Sequence, residues 1–207
     1  MAVTFHFVRH GATAANEGGI FMGTLDLPLS RAGLRQAVAL RDSLRRKRIE
    51  AVYCSPLLRA YHTALIALEW AEPGIDDDDS CFLTLRPEQE RPSHTALTVD
   101  PRLAERSFGD LQGEPEEGYD RRFPKYKGRN VTKSFEDRAD GGESFADLES
   151  RMAGFIRGVS GRHAGTEVLV FSHNGPIRVA RKLFLGLTEA ETLAHSNPHC
   201  ELITLRG

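Results

Sequence analysis

The sequence predicts a three-layer α/β/α sandwich around a mostly parallel, mixed central sheet. Three observations predict it. Short apolar runs of strand length, Val3–Val8, Ala51–Cys54 and Glu167–Ser172, alternate with segments of helical period. The runs are near-continuously apolar, as expected for strands covered on both faces. Each ends at a Gly- or Pro-containing turn that opens a helix, the pattern of a βαβ chain. At 207 residues the chain is expected to form one domain over 1–207, with insertions at about 72–95 and 106–142.

After the first strand and a loop carrying Gly18, Gly19 and Gly23, Ser30 is placed to cap a helix. That helix carries Ala37, Leu40, Arg41 and Leu44 on one stripe and ends in Arg45-Arg46-Lys47-Arg48. Four basic residues there complement the helix dipole, and they read as a solvated helix end rather than a nucleic-acid patch. Following the strand Ala51–Cys54, Ser55-Pro56 is expected to cap and open a helix running through Trp70. Residues 72–95 break the alternation, with Asp76 to Asp79 in a row, and read as a solvated insertion rather than a cation site. Leu97-Thr98-Val99 is a short strand. The stretch 106–142 is polar and punctuated by Gly and Pro, with Phe108, Tyr119, Phe123 and Tyr126 inside it. Phe145, Leu148, Met152, Phe155, Ile156 and Val159 recur at helical spacing. Past the strand Glu167–Ser172, Pro176 opens a helix to about Leu185, and Cys200–Leu205 closes the sheet.

Composition excludes several classes. A formal net charge of −2 lacks the basic excess of a general nucleic-acid binder, though it allows a local anion pocket. The apolar runs are too short to span a bilayer, and the N-terminal residues do not have the pattern of a secretory signal. Cys54, Cys81 and Cys200 are scattered, forming neither a disulfide framework nor a metal-ligand spacing. A cytoplasmic protein is expected, with no nucleic-acid or membrane partner. The sequence leaves the oligomeric state open, a homodimer among the options.

The chemistry gathers at strand ends, where open α/β sheets bind ligands. The first strand delivers Arg9 and His10 into a turn at Gly11; Arg offers a planar fork for phosphate, and His a nitrogen able to act as nucleophile near neutral pH. Arg59 falls in the first turn of a helix, where a lone cation opposes the dipole unless an anion or a neighbouring acid offsets it. His173 ends another strand, and Asn174 or Gly175 can offer backbone N–H groups to an anion. Phosphoryl transfer from an alcohol also needs a proton donor, for which Glu105 and Asp110 are both placed; composition does not choose between them.

These stretches together resemble the histidine phosphatases of the phosphoglycerate-mutase-like branch. The matching residues are Val8-Arg9-His10-Gly11 with Thr13 and Asn16, Ser55-Pro56-Leu57-Leu58-Arg59-Ala60 with Thr63-Ala64, Leu103-Ala104-Glu105 with Phe108-Gly109 and Gln112-Gly113, then Gly142-Glu143-Ser144 and Ser172-His173. The resemblance implies that His10 is a transiently phosphorylated nucleophile and Glu105 the proton donor. It places Arg9, Arg59 and His173 around the phosphoryl oxygens, with Thr13, Asn16 and the loop near Gly23 completing the pocket. It implies neither metal nor other cofactor. Asn174 departs from the Gly common at that place, and 72–95 is longer than the usual connection. The other histidines, His6, His62, His94, His163, His195 and His199, match no motif and read as structural.

The resemblance leaves three functions in competition: hydrolysis of a small phosphate monoester, isomerisation by a cofactor-dependent phosphoglycerate mutase, and phosphate binding without catalysis. The 38 positions from Glu105 to Glu143 are markedly fewer than in the family's mutases, whose longer cover excludes water. A histidine acid-type phosphomonoesterase is therefore the expectation, with a small phosphorylated substrate as its partner.

Overall fold

Strand β1 (Thr4–Arg9) shows why the chain layers as it does. Its side chains alternate: Phe5 and Phe7 join one apolar cluster, while Val8 joins another on the opposite face. Strand β6 (Glu167–Ser172) does the same, with Val168 and Val170 on one side and Leu169 and Phe171 on the other. Strands β2 (Ile49–Cys54), β5 (Leu97–Val99) and β7 (Leu202–Arg206) complete a five-stranded sheet in the order β5-β2-β6-β1-β7. Only β7 runs antiparallel, against β1, so the sheet is mixed and mostly parallel. This computed structural model describes residues 2–77, 80–92 and 95–207.

One face is covered by α6 (Phe145–Arg162) and α7 (Asn174–Leu185). Helix α6 starts at a capping box between Ser144 and Asp147 and buries Phe145, Leu148, Met152, Phe155 and Val159. Each such burial is worth about 1.5–3 kcal/mol. The other face is covered by α2 (Arg31–Ala39), α3 (Arg41–Arg45) and α4 (Leu58–Ala67). Ser30 caps α2 through the Gly33 N–H as expected, but the expected single helix is two, joined at the buried Leu40. Short helices α1 (Ala14–Glu17), α5 (Tyr119–Arg122) and α8 (Glu189–Ala194) lie in the connections.

Three further expectations need correction. Helix α4 begins at Leu58, not Pro56, and stops at Ala67; its first N–H donates to the Asp26 carboxylate at 2.6 Å, an acid from a distant loop. Residues 72–95 are not merely a solvated loop: β3 (Ala71–Ile75) and β4 (Cys81–Leu85) form an antiparallel hairpin. Cys81 and Leu83 pack it against Leu29, Leu34 and Ile66. Asp76 and Asp77 are exposed at its tip, whereas Asp78, Asp79 and His94 lie outside the described residues. Helix α7 starts at Asn174, two residues ahead of Pro176. Among the described residues no helix is long and apolar enough to cross a membrane, and Cys54, Cys81 and Cys200 are free thiols.

Candidate active site

Sheet order explains how residues far apart in sequence meet. β6 lies between β1 and β2, and all three run parallel, so their carboxyl ends stand in one row. The His10 N–H donates to the Ser172 carbonyl at 3.0 Å and the Ser55 N–H to the Phe171 carbonyl at 2.9 Å. The imidazoles of His10 and His173 lie 5.0 Å apart between centroids, both buried. The turn after β1 is set by close backbone approach. A Cβ on Gly11 would stand 2.5 Å from the Gly33 carbonyl oxygen, and one on Gly33 2.1 Å from that of Ala12. Thr63 fastens this turn to α4, accepting the Gly11 N–H and donating to the Arg59 carbonyl.

The hydrogen bond at His10 decides which nitrogen can react. Its Nδ1 is 2.7 Å from the Gly11 carbonyl, which can only accept, so Nδ1 carries the proton and Nε2 keeps its lone pair. Burial, followed by the Arg59 charge, holds the His10 imidazole well below the usual histidine range. His173 is depressed by the same two causes in the same order. His173 Nε2 meets the Ser55 hydroxyl at 2.7 Å, while its buried Nδ1 has no protein partner.

Two guanidiniums complete this inner cluster. Arg59 is fully buried, so the alternative of a surface arginine paired with an acid is excluded. Its Nη atoms donate to the Leu25 and Gly23 carbonyls at 2.7 Å each, leaving Nε buried and unpartnered. Burial draws it down to about 10, still charged near neutrality. Arg9 donates to the Asn197 carbonyl, and its Nε is likewise buried without a partner. Three orphan nitrogens, on Arg9, Arg59 and His173, mark a place prepared for an acceptor-rich anion.

Glu105 rather than Asp110 stands in this field. Its charge acts on both Arg9 and Arg59. One carboxylate oxygen accepts the Arg106 N–H at 2.8 Å and the other the Gly175 N–H at 3.2 Å. A Cβ at Gly175 would lie 2.3 Å from that carboxylate, so a side chain there would displace Glu105. Asp110 is instead tied to Lys125 and to the Tyr126 hydroxyl at 2.7 Å.

The peripheral expectations fare differently. Thr13 and Asn16 form the capping box of α1, and Thr13 is fully buried. Gly23, at φ +50°, turns its carbonyl onto Arg59, and a Cβ there would stand 2.2 Å from Gln112 Oε1. Its carbonyl therefore accepts from Arg59 and positions that guanidinium. Asn174 accepts from Asn197 through its side chain, and the Gly175 N–H is taken by Glu105 instead of being free for an anion. His199, which matches no motif and reads as structural, stands beside His10. It donates from Nδ1 to the His10 carbonyl at 2.6 Å, with its ring 5.3 Å from that of His10. The missed signal was the antiparallel last strand: pairing with β1 brings its first residues beside the end of β1.

Arg106 was also missed. It is buried between the Phe108 and Phe145 rings, with its terminal nitrogens on the Val131, Thr132 and Glu143 carbonyls. Outside the cluster, Glu105, Arg106, Asn174, Gly175 and Arg178 line a pocket of about 420 Å³ roofed by the 106–142 stretch. Among the described residues no group of three or more His, Cys, Asp or Glu is placed to hold a metal ion.

The model of the histidine phosphatase superfamily (branch 1) matches residues 5–79 and 81–207. The chain belongs to this superfamily. Among its relatives, the metal-independent phosphoserine phosphatase of Arabidopsis thaliana is 32% identical over 187 residues, covering 89% of this chain and 68% of that protein. Phosphoserine phosphatase 1 of Hydrogenobacter thermophilus is 31% identical, covering 87% and 75%. The 2,3-bisphosphoglycerate-dependent phosphoglycerate mutase of Chlamydia muridarum is 25% identical, covering 92% and 88%. Among solved histidine phosphatase folds, a mycobacterial hydrolase superposes with TM-score 0.80 at 25% identity, covering all of this chain and 92% of that one.

Proposed function

We propose that this histidine phosphatase hydrolyses a small phosphate monoester through a phosphohistidine formed on His10, all within one domain. The observation that carries the reading is the free Nε2 of a neutral His10 facing a cluster whose remaining nitrogens on Arg9, Arg59 and His173 lack protein partners. In this reading the non-bridging phosphoryl oxygens sit among those three side chains, whose fixed charge and N–H groups stabilise the transition state without a metal. The Ser55 hydroxyl donates to His173 Nε2, which leaves a proton on His173 Nδ1 for a phosphoryl oxygen. His10 Nε2 attacks phosphorus, the bond to the ester oxygen breaks, and Glu105 gives that oxygen its proton. Water then attacks the phosphohistidine, Glu105 takes its proton, and inorganic phosphate leaves. Thr13 and Asn16 hold the turn that presents His10, and Gly23 and Asn174 hold the rim.

Two relatives named phosphoserine phosphatases favour hydrolysis, and the short 106–142 cover leaves the pocket open to water. The expected result is release of inorganic phosphate from small esters in the presence of EDTA. Isomerised ester without inorganic phosphate would overturn the hydrolytic reading, and loss in EDTA restored by a divalent cation would overturn the metal-free one.

The pH dependence follows from His10. Because burial and Arg59 depress its pKa, the free enzyme keeps Nε2 unprotonated below the usual 6.5, and protonation on further acidification removes the nucleophile. The acid limb of kcat/KM, corrected for the ester's own ionisation, is expected below pH 6.5. An NMR titration of His10 centred at or above 6.5 in the free protein would refute this.

A further inference from the structure

We infer that Glu143 and Arg151 are positioning residues that aim the Glu105 carboxyl at the leaving oxygen. They speed the departure of poor leaving groups and leave good ones nearly unaffected. The inference rests on the phosphatase reading and deepens it; neither residue takes part in the reaction steps given above.

Glu105 needs holding because regular structure does not hold it. Residues 105–108 belong to no helix or strand and lie between the short turns Pro101–Leu103 and Gly109–Leu111. The carboxylate accepts the Arg106 N–H at 2.8 Å and the Gly175 N–H at 3.2 Å. Those bonds fix its aim only as well as the two backbones are themselves fixed. Gly175 is carried by α7, whereas the backbone around Arg106 depends on groups brought from other segments.

One ion pair supplies them. Arg151, in the second turn of α6, gives Nε and Nη2 to the two oxygens of Glu143 at 2.7 and 2.9 Å, and Nη1 to the Arg102 carbonyl. Glu143 uses its backbone on the other end of the segment. Its N–H donates to the Ser107 carbonyl at 2.9 Å, and its carbonyl accepts Arg106 Nη1 at 3.1 Å. Residues 102–107 are thus gripped at both ends by one pair, and between those ends the Ser172 hydroxyl donates to the Leu103 carbonyl at 2.7 Å. The two side chains are only 20% and 22% exposed, so water and salt loosen the pair little, and the two-pronged contact fixes direction as well as distance. Charge also reaches the site: Arg151 helps to hold His173 below the usual histidine range, behind burial, Arg59 and His10. A role through charge alone would make the two residues' variants act in opposite senses, because Arg151→Met removes a cation and Glu143→Gln an anion. Positioning makes both lose in the same direction.

The test compares phenyl phosphate with p-nitrophenyl phosphate, which have nearly the same shape but differ in how far the leaving oxygen needs a proton. The readout is single-turnover formation of phosphohistidine. Arg151→Met is expected to slow that step by about 10- to 100-fold on phenyl phosphate, the cost of misplacing a reacting group by about 1 Å. On p-nitrophenyl phosphate the loss should stay below about three-fold. Glu143→Gln should lose in the same direction but less, since its amide oxygen still accepts from the fork, and Arg151→Lys should recover part of the loss. In the Glu105→Gln background, where the acid is already gone, adding Arg151→Met should cost less than about three-fold more on either ester. Equal losses on the two esters, as a general loosening of the fold would give, overturn the proposal. So do opposite effects of Arg151→Met and Glu143→Gln, or a full further loss in the double variant. If Arg151→Met does not fold, Glu143→Gln and Arg151→Lys are held to the same selectivity for phenyl phosphate. If Glu105→Gln is selective and these variants are not, this inference falls alone; if the wild-type protein forms no phosphohistidine from either ester, the phosphatase reading falls and this inference with it.

Discussion

Replacing His10 by alanine is expected to abolish turnover and the phosphoenzyme together. Its free Nε2 lies among Arg9, Arg59 and His173, and the neighbouring histidine nitrogens are engaged differently. His173 Nε2 is bonded to Ser55 and His199 Nδ1 to the His10 carbonyl. A fall in kcat/KM of about 10⁴-fold or more is expected, about 5.5 kcal/mol of transition-state stabilisation at 1.36 kcal/mol per decade. Rapid-quench labelling of the wild-type protein should give an acid-labile, base-stable adduct on His10, the behaviour of a phosphorus–nitrogen bond. The fold should persist, because the sheet register and the Gly11–Gly33 contact do not involve the imidazole. Far-UV circular dichroism would check this. Full activity in the variant would remove the covalent mechanism.

The second large effect separates proton donor from spectator. Glu105→Gln should slow phosphohistidine formation by about 10²–10⁴-fold for esters of poor alkoxide leaving groups, the usual worth of general acid assistance. For p-nitrophenyl phosphate, whose leaving group needs little protonation, the loss in that step should be much smaller. Asp110→Asn should leave both esters within roughly a few-fold of wild type. The structure explains the contrast. Glu105 lines the pocket and acts on Arg9 and Arg59, whereas Asp110 is spent on Lys125 and Tyr126. Single-turnover phosphorylation is the measurement, since steady-state rates can hide the step behind dephosphorylation. Equal losses on both esters for Glu105→Gln would move the acid role elsewhere.

Some parts of the molecule were legible because their causes are local. Near-continuous apolar runs specify β1 and β6, whose two faces both need cover, and the six-residue apolar stripe of α6 needs only one. Ser30 announces a helix start because capping is a matter of three residues. The 72–95 hairpin was hidden by its acidic tip, although Leu83 and Cys81 carry its packing. The start of α4 was misplaced because the group that satisfies its first N–H, Asp26, lies 32 residues away.

By itself, the sequence determined the α/β alternation, the family to which the chain belongs, the strand ends at which Arg9, His10 and His173 stand, and the first helical turn that carries Arg59. These follow from short-range pattern and residue chemistry. Only the tertiary structure set Glu105 in the field of Arg9 and Arg59 while tying Asp110 to Lys125 and Tyr126, drew His199 to the His10 backbone, and left Arg178 without a hydrogen bond beside the outer pocket. Each of those depends on contacts between segments far apart in the chain. The insertion of β6 between β1 and β2 brings His10 beside His173, and the antiparallel return of β7 brings the His199 side chain within hydrogen-bonding reach of the His10 carbonyl. Pairing across the sheet is set by the burial of whole faces, a sum over many residues that no local run of sequence displays.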